Sequence, residues 1–336
     1  MKKLIYVLAI AMAIVSCKKE QKDYVTLSGT ISHKNSDSLV VRSRSYTKKI
    51  NVNADGTFKD TLKVETGSYS LFDGKEQTSV YLKNGFDLQI TLDTNEFDET
   101  ITYSGVGAEV NNYLAQKALL QEQLLNDFSI YDLDSTAFDK KVDGIVADMK
   151  SLLNNLKDSD STFMAQQSKQ IAGINNYVIG NYKDKIYMAT VLAKGKLSPK
   201  FTHYENYAGG TTSLDDLKGK YVYIDVWATW CGPCKAEIPF LKKVEKAYHN
   251  KNIEFVSISV DVAQNRDKWK QMIADKELGG IQLLADNNFK SQFVDDYAIR
   301  GIPRFILIDP QGHIVSANAP RPSSDKLIDL FNSLKI

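Results

Sequence analysis

Cys231 and Cys234 are separated by two residues and close the segment Trp227-Ala228-Thr229-Trp230-Cys231-Gly232-Pro233-Cys234. This spacing suits dithiol chemistry. An apolar run ends at Trp227, the chain turns, and a helical pattern starts at the first Cys. Backbone N–H groups and the helix dipole favour a thiolate at such a terminus. The second Cys, one turn on, reaches the first sulfur from a more buried position. Cys231 is thus the expected nucleophile toward a disulfide, and Cys234 the thiol that releases the mixed disulfide. Pro233 suits a first helical turn. Tetrahedral zinc normally takes four N or S ligands, and there is no second Cys pair. His33, His203, His249 and His313 are scattered, and Lys235 stands where a haem-attachment motif needs His. No metal and no cofactor beyond the Cys231–Cys234 pair is expected.

The elements around the motif alternate. Tyr221–Trp227 reads as a strand, followed by a helix to about Tyr248 and a strand at Ile253–Val260. A helix around Trp269 and Ile273, a strand at Ile281–Ala285 and a helix carrying Phe289, Phe293 and Tyr297 come next. A hairpin (Arg304–Asp309, His313–Ser316) and a helix over Asp325–Leu334 close the chain. This order predicts an α/β domain over residues 196–336, with a mostly parallel sheet covered on both faces. Asp225 lies inside the apolar strand. Burying a carboxylate there is costly and argues for a purpose; an edge-exposed acid is the alternative.

The 336 residues suit two or three domains. With 43% hydrophobic and 25% charged residues the composition is globular. The formal net charge of +1 gives no basic excess, so no nucleic-acid partner is expected. Residues 24–105 carry short β-branched and aromatic runs: Val25–Ile31, Leu39–Arg42, Lys49–Val52, Tyr69–Phe72, Ser79–Leu82, Asp87–Leu92 and Ile101–Tyr103. Turn signals at Asp55-Gly56, Asp73-Gly74 and Asn84-Gly85 separate them, predicting a small β-sandwich or barrel. Residues 106–195 switch to helical periodicity and read as a connector of two or three helices, with Ser135 and Ser159 in polar breaks.

At the start, Lys2 and Lys3 precede the apolar run Leu4–Val15, which is too short to span a bilayer. Ile14-Val15-Ser16-Cys17 resembles a bacterial lipobox. The resemblance implies a signal peptide over residues 1–17 and a lipid on Cys17, which anchors the chain to a membrane in the cell envelope. Lys18 after that Cys, rather than an acid, favours the outer membrane by the same analogy. With Cys17 lipidated, Cys231 and Cys234 are the only cysteines left, which suits chemistry better than a structural framework.

Residues from about Leu197 onward resemble the TlpA/ResA branch of the thioredoxin superfamily. Cys231-Gly232-Pro233-Cys234 equals thioredoxin's own motif, and Pro239 matches its helix proline. Gly301-Ile302-Pro303 matches its cis-proline loop, and the extra helix and strand after Asp261 match the insertion of this branch. The resemblance implies a thiol-disulfide oxidoreductase in which Trp230, Gly232, Pro233, Ile302 and Pro303 meet the substrate. The Ile302 backbone would pair with an extended peptide. Asp225 takes the place of thioredoxin's buried aspartate, an acceptor for the Cys234 proton through water. Glu237 matches an acid of the branch that assists proton transfer, with a solvated helix position as the alternative. Ser257 stands where thioredoxin pairs a lysine with that aspartate.

The implied partners are disulfide-containing exported proteins and a membrane electron donor. Gly232-Pro233 points to a reductase, and an oxidant or isomerase of the same fold is the alternative. The segment before Cys231 lacks the Pro/Thr framework of a peroxidatic Cys. Residues 24–103 resemble a domain of unknown function found upstream of thioredoxin-like modules in envelope lipoproteins. A ligand-binding lipoprotein with a secondary redox module is therefore a further reading.

Overall fold

A computed structural model describes residues 22–157 and 160–336. The segment ending at Cys17, and Ser159, lie outside the described residues. The chain forms two compact units divided after Ile179.

The first unit opens with eight strands: β1 (Val25–Ser32), β2 (Ser38–Arg42), β3 (Thr47–Asn51), β4 (Thr57–Leu62), β5 (Gly67–Phe72), β6 (Gln77–Leu82), β7 (Asp87–Asp93) and β8 (Thr102–Val106). The short helix α1 (Phe97–Thr100) joins the last two. They build two four-stranded sheets, β4-β1-β7-β8 and β3-β2-β5-β6, which share one apolar core. The result is a sandwich. Inward positions such as Leu88, Ile90 and Leu92 alternate with exposed ones, as a sheet with one wet face requires. Strand β4 is absent from the sequence reading. Its run Thr-Phe-Lys-Asp-Thr-Leu buries only Phe58 and Leu62, and it holds its place by pairing with β1 at the sheet edge. Helices α2 (Ala108–Leu125), α3 (Ser135–Asn154) and α4 (Ser161–Thr190) follow, the division after Ile179 falling inside α4. The Asp134 side chain caps α3 by accepting the Ala137 N–H at 3.0 Å.

The second unit is built on a seven-stranded sheet. Its strands are β9 (Tyr204–Asn206), β10 (Thr211–Thr212), β11 (Tyr221–Trp227), β12 (Ile253–Ser259), β13 (Ile281–Leu284), β14 (Arg304–Ile308) and β15 (Ile314–Ser316). The sheet order is β10-β9-β13-β12-β11-β14-β15. Only the β11–β12 and β12–β13 pairs are parallel, so "mostly parallel" is corrected to a parallel centre with antiparallel flanks. The flanking hairpin β14–β15 and the short β9 and β10 need no crossover helix, which makes antiparallel pairing accessible to them. The helices are α5 (Gly232–Tyr248), α6 (Arg266–Lys276), α7 (Gln292–Asp296) and α8 (Asp325–Ser333). Phe289 falls in a separate 3-10 turn before α7, so the helix expected to carry it with Phe293 and Tyr297 is broken. Two apolar clusters flank the sheet, one containing Ile224, Val226 and Ile258, the other Tyr223, Leu241 and Phe331.

Candidate active site

Strand β11 is central, with β12 on one side and β14 on the other, and its residues from Val222 to Trp227 are all buried. It therefore delivers the Ala228–Trp230 loop to a fixed point. The loop is tied down by Asp261, which is buried at the end of β12. Its carboxylate accepts the Thr229 N–H at 2.8 Å, the Thr229 hydroxyl at 2.8 Å and the Ser259 hydroxyl at 2.8 Å. Asp261 does not figure among the sequence candidates. The available signal is a lone acid directly after the apolar β12 run.

Cys231 is the N-cap of α5, with Gly232 and Pro233 at the first helical positions. The Cys234 N–H donates to Cys231 Sγ at 3.1 Å, so the sulfur already receives an orphan helix donor. That bond and the helix dipole stabilise negative charge on Cys231. The two cysteines are joined as a disulfide with a Cα–Cα distance of 5.3 Å. Their exposures are 4% and 3%, so the expected difference in burial is slight in this oxidised state. Pro239 lies inside α5.

Trp230 is 54% exposed beside the motif, with its ring centroid 6.3 Å from that of Phe289. Trp227 is buried. The Ile302–Pro303 bond is cis, and Ile302 packs against the cluster that contains both cysteines.

Asp225 is buried, which removes the edge-exposed alternative. It sits opposite Ser257 on β12 and Phe305 on β14. Oδ1 has no hydrogen-bond partner. Burial first, then the negative charges at Glu237 and Glu245, push its carboxyl up to about 8. Glu237 is also buried, not solvated as the sequence alternative has it. Its two oxygens accept the Ser323 N–H at 3.0 Å and the Ser323 hydroxyl at 2.9 Å, and Arg321 lies 3.6 Å away. The acid thus tethers the segment leading into α8.

The sequence is similar to those of known oxidoreductases. Residues 193–329 match the Redoxin family. The thioredoxin-like protein YneN of Bacillus subtilis is 31% identical over 123 residues, covering 37% of this chain and 69% of YneN. The chain belongs to the thioredoxin-like family. The thiol-disulfide oxidoreductase ResA of Oceanobacillus iheyensis is 28% identical over 171 residues, 49% of this chain and 83% of ResA. Among solved structures, the thioredoxin domain of a thiol-disulfide oxidoreductase from Bacteroides vulgatus is 31% identical. It covers 42% of this chain and 97% of that one, with a TM-score of 0.38. A thiol-disulfide oxidoreductase from Bacteroides fragilis is 28% identical, covering 41% and 99%, with a TM-score of 0.37. This thioredoxin-like protein is a thiol-disulfide oxidoreductase.

Proposed function

We propose that the protein reduces disulfides in exported proteins while held at the cell envelope by a lipid on Cys17. The observation that carries the chemistry is the Cys231 sulfur at the N-terminus of α5, accepting the Cys234 N–H. Once reduced by a membrane electron donor, Cys231 attacks a substrate disulfide as thiolate, breaks its S–S bond, frees one substrate sulfur as thiolate and forms a mixed disulfide with the other. Cys234 loses its proton, attacks Cys231 Sγ and releases the substrate thiolate. Two electrons leave the dithiol, and the Cys231–Cys234 disulfide remains. Trp230, Gly232, Pro233, Ile302 and Pro303 form the surface that meets the substrate chain. Asp225 takes the Cys234 proton; Glu237 acts on it through charge.

The test is the asymmetry of the two sulfurs. Iodoacetamide should modify Cys231 first in the reduced protein at neutral pH, because the helix N-terminus and the Cys234 N–H favour its thiolate. Cys231→Ser should abolish disulfide reduction, and Cys234→Ser should accumulate a mixed disulfide with substrate. Alkylation of Cys234 first, or activity surviving in Cys231→Ser, overturns the roles. Direction is read from redox equilibrium: a potential near the thioredoxin value of about −270 mV supports a reductase, and one near about −120 mV an oxidant.

A second reading, ligand capture by the first unit, has one observation in its favour. A polar cavity of about 360 Å³ there is lined by Gln77, Gln121 and the buried Lys117. If neither Cys variant alters turnover of any disulfide, that reading replaces the first.

A further inference from the structure

Beneath the active site lies a second carboxylate that the redox motif does not contain. Cys234, Ile238, Leu241 and Glu245 fall at i, i+4, i+7 and i+11 of α5, one stripe facing the sheet. Glu245 is only half-buried at the far end of that stripe. It lies roughly 16 Å along the axis from Cys234, too far to take its proton directly. A cavity of about 10 Å³ is lined by Asp225, Trp227, Ser257, Gln282, Lys242 and Glu245. That volume is at the lower limit for one water. Three polar atoms of its lining residues are buried without a partner: Asp225 Oδ1, Gln282 Oε1 and Trp227 Nε1. Two acceptors and one donor match the usual complement of about three hydrogen bonds of a buried water.

The backbone also makes room for Glu245. A Cβ on Gly279 would lie 2.6 Å from Glu245 Oε2, and one on Gly280 3.1 Å from Oε1. At Gly279 a side chain would force the carboxylate to shift, and at Gly280 a φ of +62° and the Phe255 carbonyl oxygen at 2.6 Å call for glycine as well.

We propose that Glu245 is the proton-exchange partner of Asp225, passing the proton taken from Cys234 through one cavity water to the solvent edge. The inference rests on the Asp225 role in the proposed function and deepens it. In the resolving step the Cys234 S–H bond breaks and its proton moves to Asp225. The cavity water hands a proton on to Glu245, which releases it to bulk water at the rim. Asp225 is thereby returned to its carboxylate for the next turnover. Burial pushes the Glu245 carboxyl up to about 7, against the lowering effect of Lys242, which places it within reach of Asp225 in proton affinity. Asp225 is faced by Glu237, Lys242 and Glu245 on α5 and by Tyr223 on its own strand. The neighbouring strands contribute neutral Ser257, Gln282 and Phe305.

The experiment follows thionitrobenzoate release from 5,5′-dithiobis(2-nitrobenzoate) by the reduced full chain. First attack and resolution each release one equivalent, in separate phases. Asp225→Asn should slow the second phase roughly 100-fold, and Glu245→Gln about tenfold, with first attack changed by less than about twofold. In Glu245→Gln the pH midpoint of the second phase should also move down, because one negative charge beside Asp225 is gone. A second phase and pH profile like wild type in Glu245→Gln, with Asp225→Asn slow, overturns the inference and leaves the Asp225 role standing. Wild-type behaviour in both variants overturns the Asp225 role as well. On the folded wild type itself, the infrared pH-difference spectrum across neutrality should contain two protonated-carboxyl bands, each lost in one variant. A single band, lost only in Asp225→Asn, likewise overturns the inference.

Discussion

Asp225→Asn should stabilise the protein while impairing its chemistry, and the size of the gain can be worked from burial. The carboxyl moves from 3.8 to about 8 on folding, through burial and then the charges at Glu237 and Glu245. Each decade of proton affinity is about 1.4 kcal/mol, so at pH 7 the folded state carries a penalty on the order of 4 kcal/mol. Asn removes it but leaves an amide in a site where Oδ1 already lacks a partner, which costs about 1–2 kcal/mol. The net gain is roughly 2–3 kcal/mol, or about 5–10 °C in Tm for a unit of this size. Because the folded pKa is raised, the stability this group contributes is full below about pH 4 and is lost as pH rises through about 8. The gap between variant and wild type must therefore widen with pH. Urea unfolding of the oxidised protein, followed by tryptophan fluorescence, is the assay. Trp227, Trp230 and Trp269 are the only tryptophans and all lie in the second unit, so the signal isolates it. A gap that stays constant between about pH 5 and pH 8 would refute the reasoning.

Two further outcomes are expected. Cys17→Ala should release the protein from membranes and prevent lipid labelling; unchanged retention and labelling sinks the lipoprotein assignment. Asp261→Ala should destabilise the second unit by roughly 3 kcal/mol, since it strips partners from a buried N–H and two hydroxyls. It should also slow first attack by loosening the loop before Cys231, and wild-type stability together with wild-type attack would dismiss this positioning role.

The parts of the fold legible in the sequence are those with strong local signals. β11 matches its apolar run from Tyr221 to Trp227, and α5 starts at the Cys-Gly-Pro-Cys turn because the turn itself is a helix N-terminus. Strands β4, β9 and β10 escape because pairing with neighbouring strands, not local hydrophobicity, holds them. At the site, Cys231, Cys234 and Asp225 announce themselves by spacing or by an acid in an apolar strand. Glu237 reads ambiguously, since its partner Ser323 is 86 residues away. Asp261 and Glu245 owe their roles to contacts across the sheet: Asp261 meets Thr229 from 32 residues away, and Glu245 lies against the Gly279–Gly280 turn. Asp261 leaves only the faint signal of an acid after an apolar run, and Glu245 leaves none, because their partners lie far off in the sequence.

The 4% exposure of Cys231 sets an entry condition for clients. A sulfur with so little surface cannot be approached by a disulfide embedded in a packed core. The client must bring its own sulfur down past Trp230 on a slack, extended stretch of chain. Such geometry sorts by conformation: a disulfide on a slack stretch of chain gains access, while one buried in a finished fold is passed over. The same low exposure limits collision with stray thiols in the surrounding medium, so the disulfide is exchanged with partners able to reach it before it is exchanged with whatever is abundant.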